Sequence, residues 1–322
     1  MQAQKKISII SACYNEESNV TPLYERITNA MSGFPQYDYE IIIIDNCSTD
    51  NTVNILRDIA AADKRVKIIL NARNFGALRS GLYVQQFYSG DCMVLMASDL
   101  EDPPELIADF LHHWKEGKKV VVAVKAGSKE GFFLRSIRKL YYRIIASISD
   151  VKHIRNFTGF GLYDKTIIDP LLDCYDLNTY FRGLISEYAA DIAIVEFKKP
   201  VRLYGKSSYN FFSYFDYAMT GITSYSKVPI RIATLAGFFL SGLSFLAAVL
   251  FFIARLLWWP TAPFGMAPLL IGMFFFSSVQ LLFIGLIGEY VSAILVKVSP
   301  KPLVTVREFI NFEKEEDTGG EV

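Results

Sequence analysis

Three polar clusters near the start of the sequence carry the residue types that catalytic sites use. They are Tyr14–Glu17, Asp45–Asp50 and Asp99–Asp102, and each contains carboxylates. Mg²⁺ in proteins is bound through one or two carboxylates together with substrate phosphates. Asp99 and Glu101 stand two residues apart in a predicted turn, so both can point at one ion. These residues predict a site in which a divalent metal holds a diphosphate.

The segments around the clusters predict how the clusters come together. Five short apolar runs alternate with helical stretches: Lys6–Cys13, Glu40–Asn46, Val66–Leu70, Asp91–Asp99 and Val120–Lys125. Such a pattern is typical of a parallel sheet covered by helices on both faces. Sheets of this kind bind ligands at the carboxyl ends of their strands, where all three clusters fall. The alternative is that residues there only cap helices, as Ser48 or Asp50 could before the second helix.

Length and composition limit the classes of protein that remain. The chain has 322 residues, a formal net charge of +0, 52% hydrophobic residues and a mean hydropathy of +0.25. The apolar fraction excludes a disordered chain, and zero net charge argues against a nucleic-acid binder. Neither GxGxxG nor GxxxxGK[ST] occurs, which argues against a dinucleotide-binding or P-loop domain.

The excess hydropathy lies in two long apolar stretches, Ile230–Leu257 and Leu269–Val296. A bilayer core needs about 20 apolar helical residues, so each stretch can span it with some tilt. We expect a transmembrane hairpin in the inner or plasma membrane, in preference to a helical hairpin buried in a soluble core. Basic residues flank both outer ends, and near the turn that joins the stretches there is only Arg255, so the positive-inside rule places both termini in the cytosol.

These patterns divide the chain into four segments. Residues 1–208 are expected to form a cytosolic α/β domain, 209–228 an interfacial amphipathic segment, 229–298 two transmembrane helices and 299–322 a cytosolic tail. The cysteines show no paired spacing, so we expect reduced thiols and no zinc site. They are Cys13, Cys47, Cys92 and Cys174.

Four motifs resemble those of family 2 glycosyltransferases. They are Ala12–Glu17, Ile44–Asp50, Asp99–Glu105 and Arg202–Tyr209, and with the hairpin the similarity covers residues 5 to about 300. The polyisoprenyl-phosphate branch, with dolichol-phosphate mannose synthase and bacterial polyprenyl-phosphate glucosyltransferases, is the most similar. The resemblance implies a GT-A fold, which is Rossmann-like with a mainly parallel sheet. It also implies inverting transfer of a sugar from a nucleotide donor to a membrane lipid, a polyprenyl phosphate such as undecaprenyl phosphate.

The resemblance also assigns roles to individual residues. Residues at the ends of the first, second and fourth strands would bind the nucleotide sugar: Ala12, Tyr14, Glu16, Asp45, Ser98 and Asp99. Asp99 and Glu101 would hold Mg²⁺ or Mn²⁺, which makes Asp99 catalytic. Arg202 and Lys206, in the segment RLYGKSSY, would bind the lipid phosphate, and Lys206 would take part in catalysis.

A basic amphipathic stretch supplies two further cations. Arg135 and Arg138 lie in FFLRSIRKLYYRIIASI, whose apolar residues recur at helical spacing. Such a helix is typical of a membrane-surface element, so we expect both arginines to bind the lipid phosphate and to act in catalysis. The alternative is a helix packed on the sheet with a solvated basic face.

Several positions depart from the family pattern. Ala97 replaces the first carboxylate of D-A-D, Asn46 replaces the second Asp of D-D-G-S, and Gly159 stands where some relatives carry an Asp proposed as a base. A base is dispensable here, because a phosphate monoester has a second pKa of about 6 and is largely anionic at neutral pH. General-base catalysis would have little proton left to remove.

Other functions fit the sequence less well. A processive polysaccharide synthase would need more membrane helices and a Q-x-x-R-W motif, and no Trp follows Arg182. The departures at Ala97, Asn46 and Gly159 leave open a decayed membrane scaffold. A single hairpin cannot enclose a path for a sugar, so a separate flippase or a homo-oligomer would have to move the product. UDP-glucose is the favoured donor, with GDP-mannose and other UDP-sugars as alternatives.

Overall fold

The computed structural model describes residues 4–126, 154, 156–172, 181–198, 233–240, 267–298 and 302–312, with a few helical positions between 242 and 253. The chain divides into two compact units. One comprises Met1–Gly131, His153–Asn210 and Pro300–Val322, and the other comprises Phe132–Lys152 and Phe211–Ser299. The described strands all belong to the first unit.

Strands and helices alternate along the first unit. The strands are β1 (Lys6–Cys13), β2 (Asp38–Asp45), β3 (Val66–Asn71), β4 (Cys92–Ala97), β5 (Val120–Lys125), β6 (Phe157–Asp164), β7 (Ile192–Phe197) and β8 (Val306–Ile310). Its helices are α1 (Val20–Ser32), α2 (Thr52–Ala62), α3 (Ala77–Val84), α4 (Ile107–Lys115), α5 (Lys165–Leu172) and α6 (Phe181–Tyr188). The first five strands begin and end within two residues of the predicted limits.

These strands form one eight-stranded sheet in the order β7-β5-β6-β4-β1-β2-β3-β8. Strands β4, β1, β2 and β3 run parallel to one another, whereas β6 is antiparallel to both of its neighbours and β8 is antiparallel to β3. The prediction of an α/β fold with a mainly parallel sheet is confirmed. Cys13 pairs with Asp45 and Ala12 pairs with Ala97, so the ends of β1, β2 and β4 lie side by side.

Successive residues of a strand point to opposite faces of the sheet, and helices cover both faces. Ile9 and Ile41 pack on one face, in the cluster that includes residues of α1, α2 and α4. Ile10 and Ile42 pack on the other face, with residues of α3, α5 and α6. None of the four is more than 1% exposed. This burial on both faces explains why the strands read as continuous apolar runs rather than as alternating ones.

The last strand, β8, lies near the end of the sequence and pairs with the sheet that the earlier strands form. It pairs with β3 at the edge. Arg57 on α2 forms an ion pair with Glu308 of β8, and the Asn311 amide donates to two backbone carbonyls at 2.7 and 2.8 Å. The sequence predicted a tail over 299–322 and no strand there, since VREFI is short and carries two charged residues. The region thus completes the sheet of the first unit.

Among the described residues, one helix is long and apolar enough to cross a membrane, judged by length and composition. It is α7 (Ala267–Val298), and its candidate spanning window is Phe275–Ser292. None of the described apolar side chains of this helix is buried in protein, and Leu281, for example, is 69% exposed. This helix coincides with the second predicted span. The first, Ile230–Leu257, is described only in part, and those positions are helical.

A buried carboxylate links three neighbouring strands near their amino-terminal ends, at the edge of the sheet opposite the carboxyl ends. Glu40 on β2 is 1% exposed and forms ion pairs with Lys6 of β1 at 3.1 Å and Lys67 of β3 at 2.8 Å. It also accepts hydrogen bonds from the Ser8 hydroxyl at 2.6 Å and from the Ser89 amide at 2.9 Å. Burial alone would raise the pKa of Glu40, but hydrogen bonds from Lys67, Ser8 and Ser89 lower it to about 2.

We predict that Glu40→Gln destabilises the first unit in a pH-dependent way. A folded-state pKa of about 2 against an ordinary 4.5 corresponds to about 3 kcal/mol of unfolding free energy at pH 7. Because the folded pKa is depressed, this stability is present above about pH 4.5 and is lost as the pH falls towards about 2. Denaturant unfolding of the full chain in detergent measures the difference.

The exposed Glu187→Gln on α6 is the matched control for this charge change, and it should leave the unfolding free energy unchanged. A Glu40→Gln deficit of the same size at pH 3 and at pH 7 would contradict the ion-pair assignment, because the native carboxylate would then contribute nothing specific to its charge.

Candidate functional site

The candidate site lies at the carboxyl edge of the sheet, in the loops that follow β1, β2, β3 and β4. Hydrogen bonds tie the first two loops to each other. The Asn15 amide donates to the Ser48 hydroxyl at 2.8 Å, and the Thr49 amide donates to Asn15 Oδ1 at 2.8 Å. Asn15 has φ 55 and Cys47 has φ 64, so each loop turns through the left-handed region. The two loops therefore act as one rigid rim.

Acidic residues in this rim serve largely as acceptors for backbone groups. Asp50 Oδ1 accepts from the backbone of Thr52, the first residue of α2, at 3.0 Å, and Asp50 Oδ2 accepts from the Glu17 amide at 3.3 Å. Glu17 Oε2 accepts from the Asn51 amide at 2.9 Å. Glu16 Oε2 accepts from the side chain of Asn19 at 2.5 Å. Asn51, and not Asp50, is the N-cap residue of α2, but the Asp50 carboxylate accepts from the first residue of that helix, as the capping alternative expected.

Asp45 is fully buried beneath this rim. Its Oδ1 accepts from the Ser48 amide at 2.9 Å, and its Oδ2 accepts from the Ser48 hydroxyl and from the Cys13 thiol, the latter at 3.7 Å. Burial and then the charge of Asp45 raise the pKa of the Cys13 thiol well above its usual range, so the thiol is protonated and donates. Tyr14, which follows Cys13 at this point of the edge, is exposed, at 39%.

Three of the four cysteines are described. Cys13, Cys47 and Cys92 are free, and Cys174 lies outside the described residues. Cys13 and Cys92 are buried strand residues.

The turn after β4 carries the second part of the site. Asp99 Oδ1 accepts from the Glu101 amide at 3.1 Å, and Leu100 between them has φ 60, which folds the turn back on itself. Asp102 is 6% exposed, and its Oδ2 accepts from the Ala97 amide at 3.0 Å. The sharp turn thus places three carboxyl residues, Asp99, Glu101 and Asp102, within four positions at the end of one strand.

Ser98 fastens this acidic turn to the neighbouring strand. It is 4% exposed, and its hydroxyl donates to the Ala12 carbonyl at 3.0 Å. Ala12, Ser98 and Asp99 were assigned to one nucleotide-sugar site, and the structure places them at adjacent strand ends.

A lysine at the end of β5 adds a cation that was not assigned from the sequence. Lys125 Nζ lies 3.8 Å from Glu101 Oε2, and its ammonium group partly balances the acidic turn. Burial raises the pKa of Asp102 to about 6, while the Ala97 amide and the charge of Lys125 act to lower it. The signal was present in the sequence, because the run Val120–Lys125 ends at the same edge as the acidic clusters.

The oxygen ligands of this turn fit a metal ion whose remaining coordination positions are filled by substrate. Among the described residues, no group of three or more His, Cys, Asp and Glu side chains converges as a ready-made metal cage. Asp99 and Glu101 offer hard oxygen ligands two residues apart, which suits Mg²⁺ or Mn²⁺ carrying substrate phosphates and water in its other positions.

All four predicted phosphate-binding cations fall outside the described residues. They are Arg135, Arg138, Arg202 and Lys206. Their roles stay predictions from the sequence. Gly159, at the position where relatives carry a proposed base, is described: it has φ 102, a backbone conformation that favours glycine, and its carbonyl accepts from the Tyr163 hydroxyl at 2.7 Å.

Comparison with known proteins assigns the family. The model of "Glycosyl transferase family 2" matches residues 8–175, which contain β1 to β6 and the whole acidic edge. The chain belongs to glycosyl transferase family 2. The α/β architecture of this family 2 transferase is the one that the GT-A resemblance implied, and the resemblance itself is confirmed.

Its relatives match over nearly their full lengths. The uncharacterized glycosyltransferase YkcC of Bacillus subtilis is 32% identical over 97% of each chain. The putative glycosyltransferase CsbB of the same organism is 30% identical over 95% of this chain and 92% of that protein. The SfII prophage-derived bactoprenol glucosyl transferase of Shigella flexneri is 29% identical over 94% of this chain and 98% of that protein. The similarity therefore extends beyond the catalytic domain into the apolar C-terminal region.

Proposed function

We propose that this family 2 transferase moves glucose from UDP-glucose to a polyprenyl phosphate, with inversion, at the cytosolic face of the membrane. The observation that carries the proposal is the acidic turn at the end of β4, where Asp99 and Glu101 lie beside the Ser98–Ala12 link. Similarity to bactoprenol glucosyl transferases along almost the whole chain supports the lipid acceptor and the glucosyl donor. GDP-mannose or another UDP-sugar is the alternative donor.

Asp99 and Glu101 would hold a Mg²⁺ or Mn²⁺ ion in this site. The ion would neutralise charge on the nucleoside diphosphate as it leaves. Lys125 keeps Glu101 oriented and offsets part of the negative charge of the turn, so that a dianionic diphosphate can approach it. The loops after β1 and β2 are linked rigidly, so they hold the donor in one position relative to the turn.

The acceptor needs cations rather than a base. Its phosphate oxygen is already largely anionic at neutral pH, since the second pKa of a phosphate monoester is about 6. Gly159 offers no side chain to remove a proton, and its φ of 102 disfavours a larger residue there. We propose that Arg135, Arg138, Arg202 and Lys206 hold the lipid phosphate in line with the anomeric carbon, opposite the leaving diphosphate.

Chain connectivity supports a two-helix membrane anchor. The chain leaves the sheet after β7 and rejoins the same sheet at β8, so both ends of the intervening segment lie on one side of any membrane. An even number of crossings is required. With α7 as one crossing, Ile230–Leu257 is the apolar stretch that can provide the other. Lys and Arg at the outer ends favour the cytosolic side for the sheet.

Transfer of radiolabelled sugar to undecaprenyl phosphate tests the proposed reaction directly. Purified full-length chain, supplied with Mn²⁺ and a panel of UDP- and GDP-sugars, should label the lipid most rapidly with UDP-glucose. Faster labelling with GDP-mannose would reassign the donor. A chain that labels the lipid with none of the panel would support the scaffold alternative and overturn the proposed function.

Asp99→Asn should reduce transfer by about 10³-fold, because the neutral amide is a far poorer ligand for a divalent ion than a carboxylate. The rate should no longer respond to Mn²⁺ concentration. The exposed Asp109→Asn on α4 makes the same charge change outside the site and should keep wild-type activity. Metal-dependent turnover at the normal rate in Asp99→Asn would remove Asp99 from the metal site.

Replacing both Arg135 and Arg138 by Gln should raise the KM for polyprenyl phosphate by about 100-fold or more, since each charge-assisted hydrogen bond contributes about 1.5–3 kcal/mol. The KM for the nucleotide sugar should change little. Lys115→Gln with Lys165→Gln, two exposed lysines of the first unit, removes the same charge and should leave both constants unaltered. An unchanged acceptor KM in the arginine variant would refute the assignment.

A further inference from the structure

A buried amide after β2 organises the loop after β3. Asn46 follows Asp45 directly and is 4% exposed. Its Oδ1 accepts from the Phe75 amide at 2.9 Å, from the Ser80 hydroxyl at 3.0 Å and from Asn71 Nδ2 at 3.2 Å. One side chain therefore holds the loop 72–76 and the start of α3 against the end of β2.

The hydrogen bonds of this loop also fix which way each amide points. A backbone N–H can only donate, so the Phe75 amide sets the oxygen of Asn46 and the Gly76 amide, which donates to Asn74 Oδ1 at 2.9 Å, sets the oxygen of Asn74. Asn46 Nδ2 then donates to Asn74 Oδ1 at 2.8 Å. An aspartate at position 46 would set a carboxylate oxygen against that same acceptor.

The other end of the loop is held independently. The Ala72 amide donates to the Thr305 carbonyl, just before β8, at 2.8 Å. Between these two attachments lies Arg73, which is exposed and whose guanidinium carbon lies 4.9 Å from the centre of the Phe75 ring. Asn46 thus determines where a cationic side chain and an aromatic ring stand at the carboxyl edge, beside the end of β2.

We propose that Asn46 is a positioning residue for the nucleotide part of the donor, acting through the loop 72–76. The inference rests on the proposed function, because it takes the nucleotide to lie over the ends of β1 and β2. Asn46 then donates a hydrogen bond that Asn74 accepts, and an ionised aspartate could not donate it. The replacement of the family's Asp by Asn46 therefore serves the site and is not a sign of decay.

A pair of Asn→Asp variants tests the direction of the bond. In Asn46→Asp the donor is lost and two acceptors face each other, so the Kd for UDP with Mn²⁺ should rise about 10-fold. In Asn74→Asp the carboxylate still accepts from both Asn46 and Gly76, so the loss should be smaller, at most about threefold. Both are measured by calorimetry on the full chain in detergent.

Asn54→Asp provides the matched control for the added charge. Asn54 is exposed on α2, away from the loop, and this variant should bind UDP as the wild type does. Asn46→Asp should raise the KM for the nucleotide sugar while the KM for polyprenyl phosphate stays constant, a division that general destabilisation would not produce.

A pH series separates positioning from misfolding. The buried carboxyl of Asn46→Asp becomes protonated as the pH falls from about 8 to about 5.5, and in that form it can donate to Asn74 as the amide does. Its Kd relative to wild type should therefore recover at the lower pH. A misfolded variant would not recover.

Two results would overturn the inference: wild-type UDP affinity in Asn46→Asp, or equal losses in Asn46→Asp and Asn74→Asp at every pH. A wild-type chain that binds neither UDP nor GDP would instead overturn the proposed nucleotide donor, and the inference with it. If the wild type binds GDP and not UDP, the same series is carried out with GDP.

Discussion

The parallel register of β1 with β2 and β4 is the constraint on which the site depends. A slip of one residue would turn every side chain of a strand to the other face, and both faces of this sheet are buried. The observed register sets Cys13 beside Asp45 and Ala12 beside Ala97. From there, short hydrogen bonds such as Ser98 to Ala12 tie the emerging loops to one another. The packing of the core thus fixes the positions of the residues at the carboxyl edge of the sheet.

Much of this arrangement could be predicted from the sequence, because strands buried on both faces read as unbroken apolar runs. The acidic turn could be predicted as well, since Asp99 and Glu101 are close in the chain. The position of Lys125 at this edge could also be predicted from its strand end, but its contact with Glu101 could not, because the two residues are distant in sequence. The same holds for the rim: the sequence predicts Asp45 as a nucleotide-binding residue and Asp50 as a possible cap, but it does not show the hydrogen bonds that their oxygens accept from Ser48, Thr52 and neighbouring amides.

Each departure from the family pattern has a local physical account. At Ala97 the backbone amide is bound by Asp102, so the strand end is held without a carboxylate of its own. Gly159 occupies a left-handed conformation in which a side chain would be strained. A site that brings together two anions gains more from charge neutralisation than from proton transfer. Under the proposed function, the chain retains the carboxylates of the turn and lacks a carboxylate at Ala97 and at Gly159, where the transfer would not require one.

The position of β8 in the chain affects how the protein is made. Ribosomes add about 5–20 residues per second, so the edge of β3 stays unpaired while residues 198–305, which include the apolar helix α7, are synthesised. An unpaired edge strand invites association with other chains. Completion of the sheet therefore comes last, after the synthesis of α7. A nascent chain that stalls before residue 306 leaves this edge open to association with other chains.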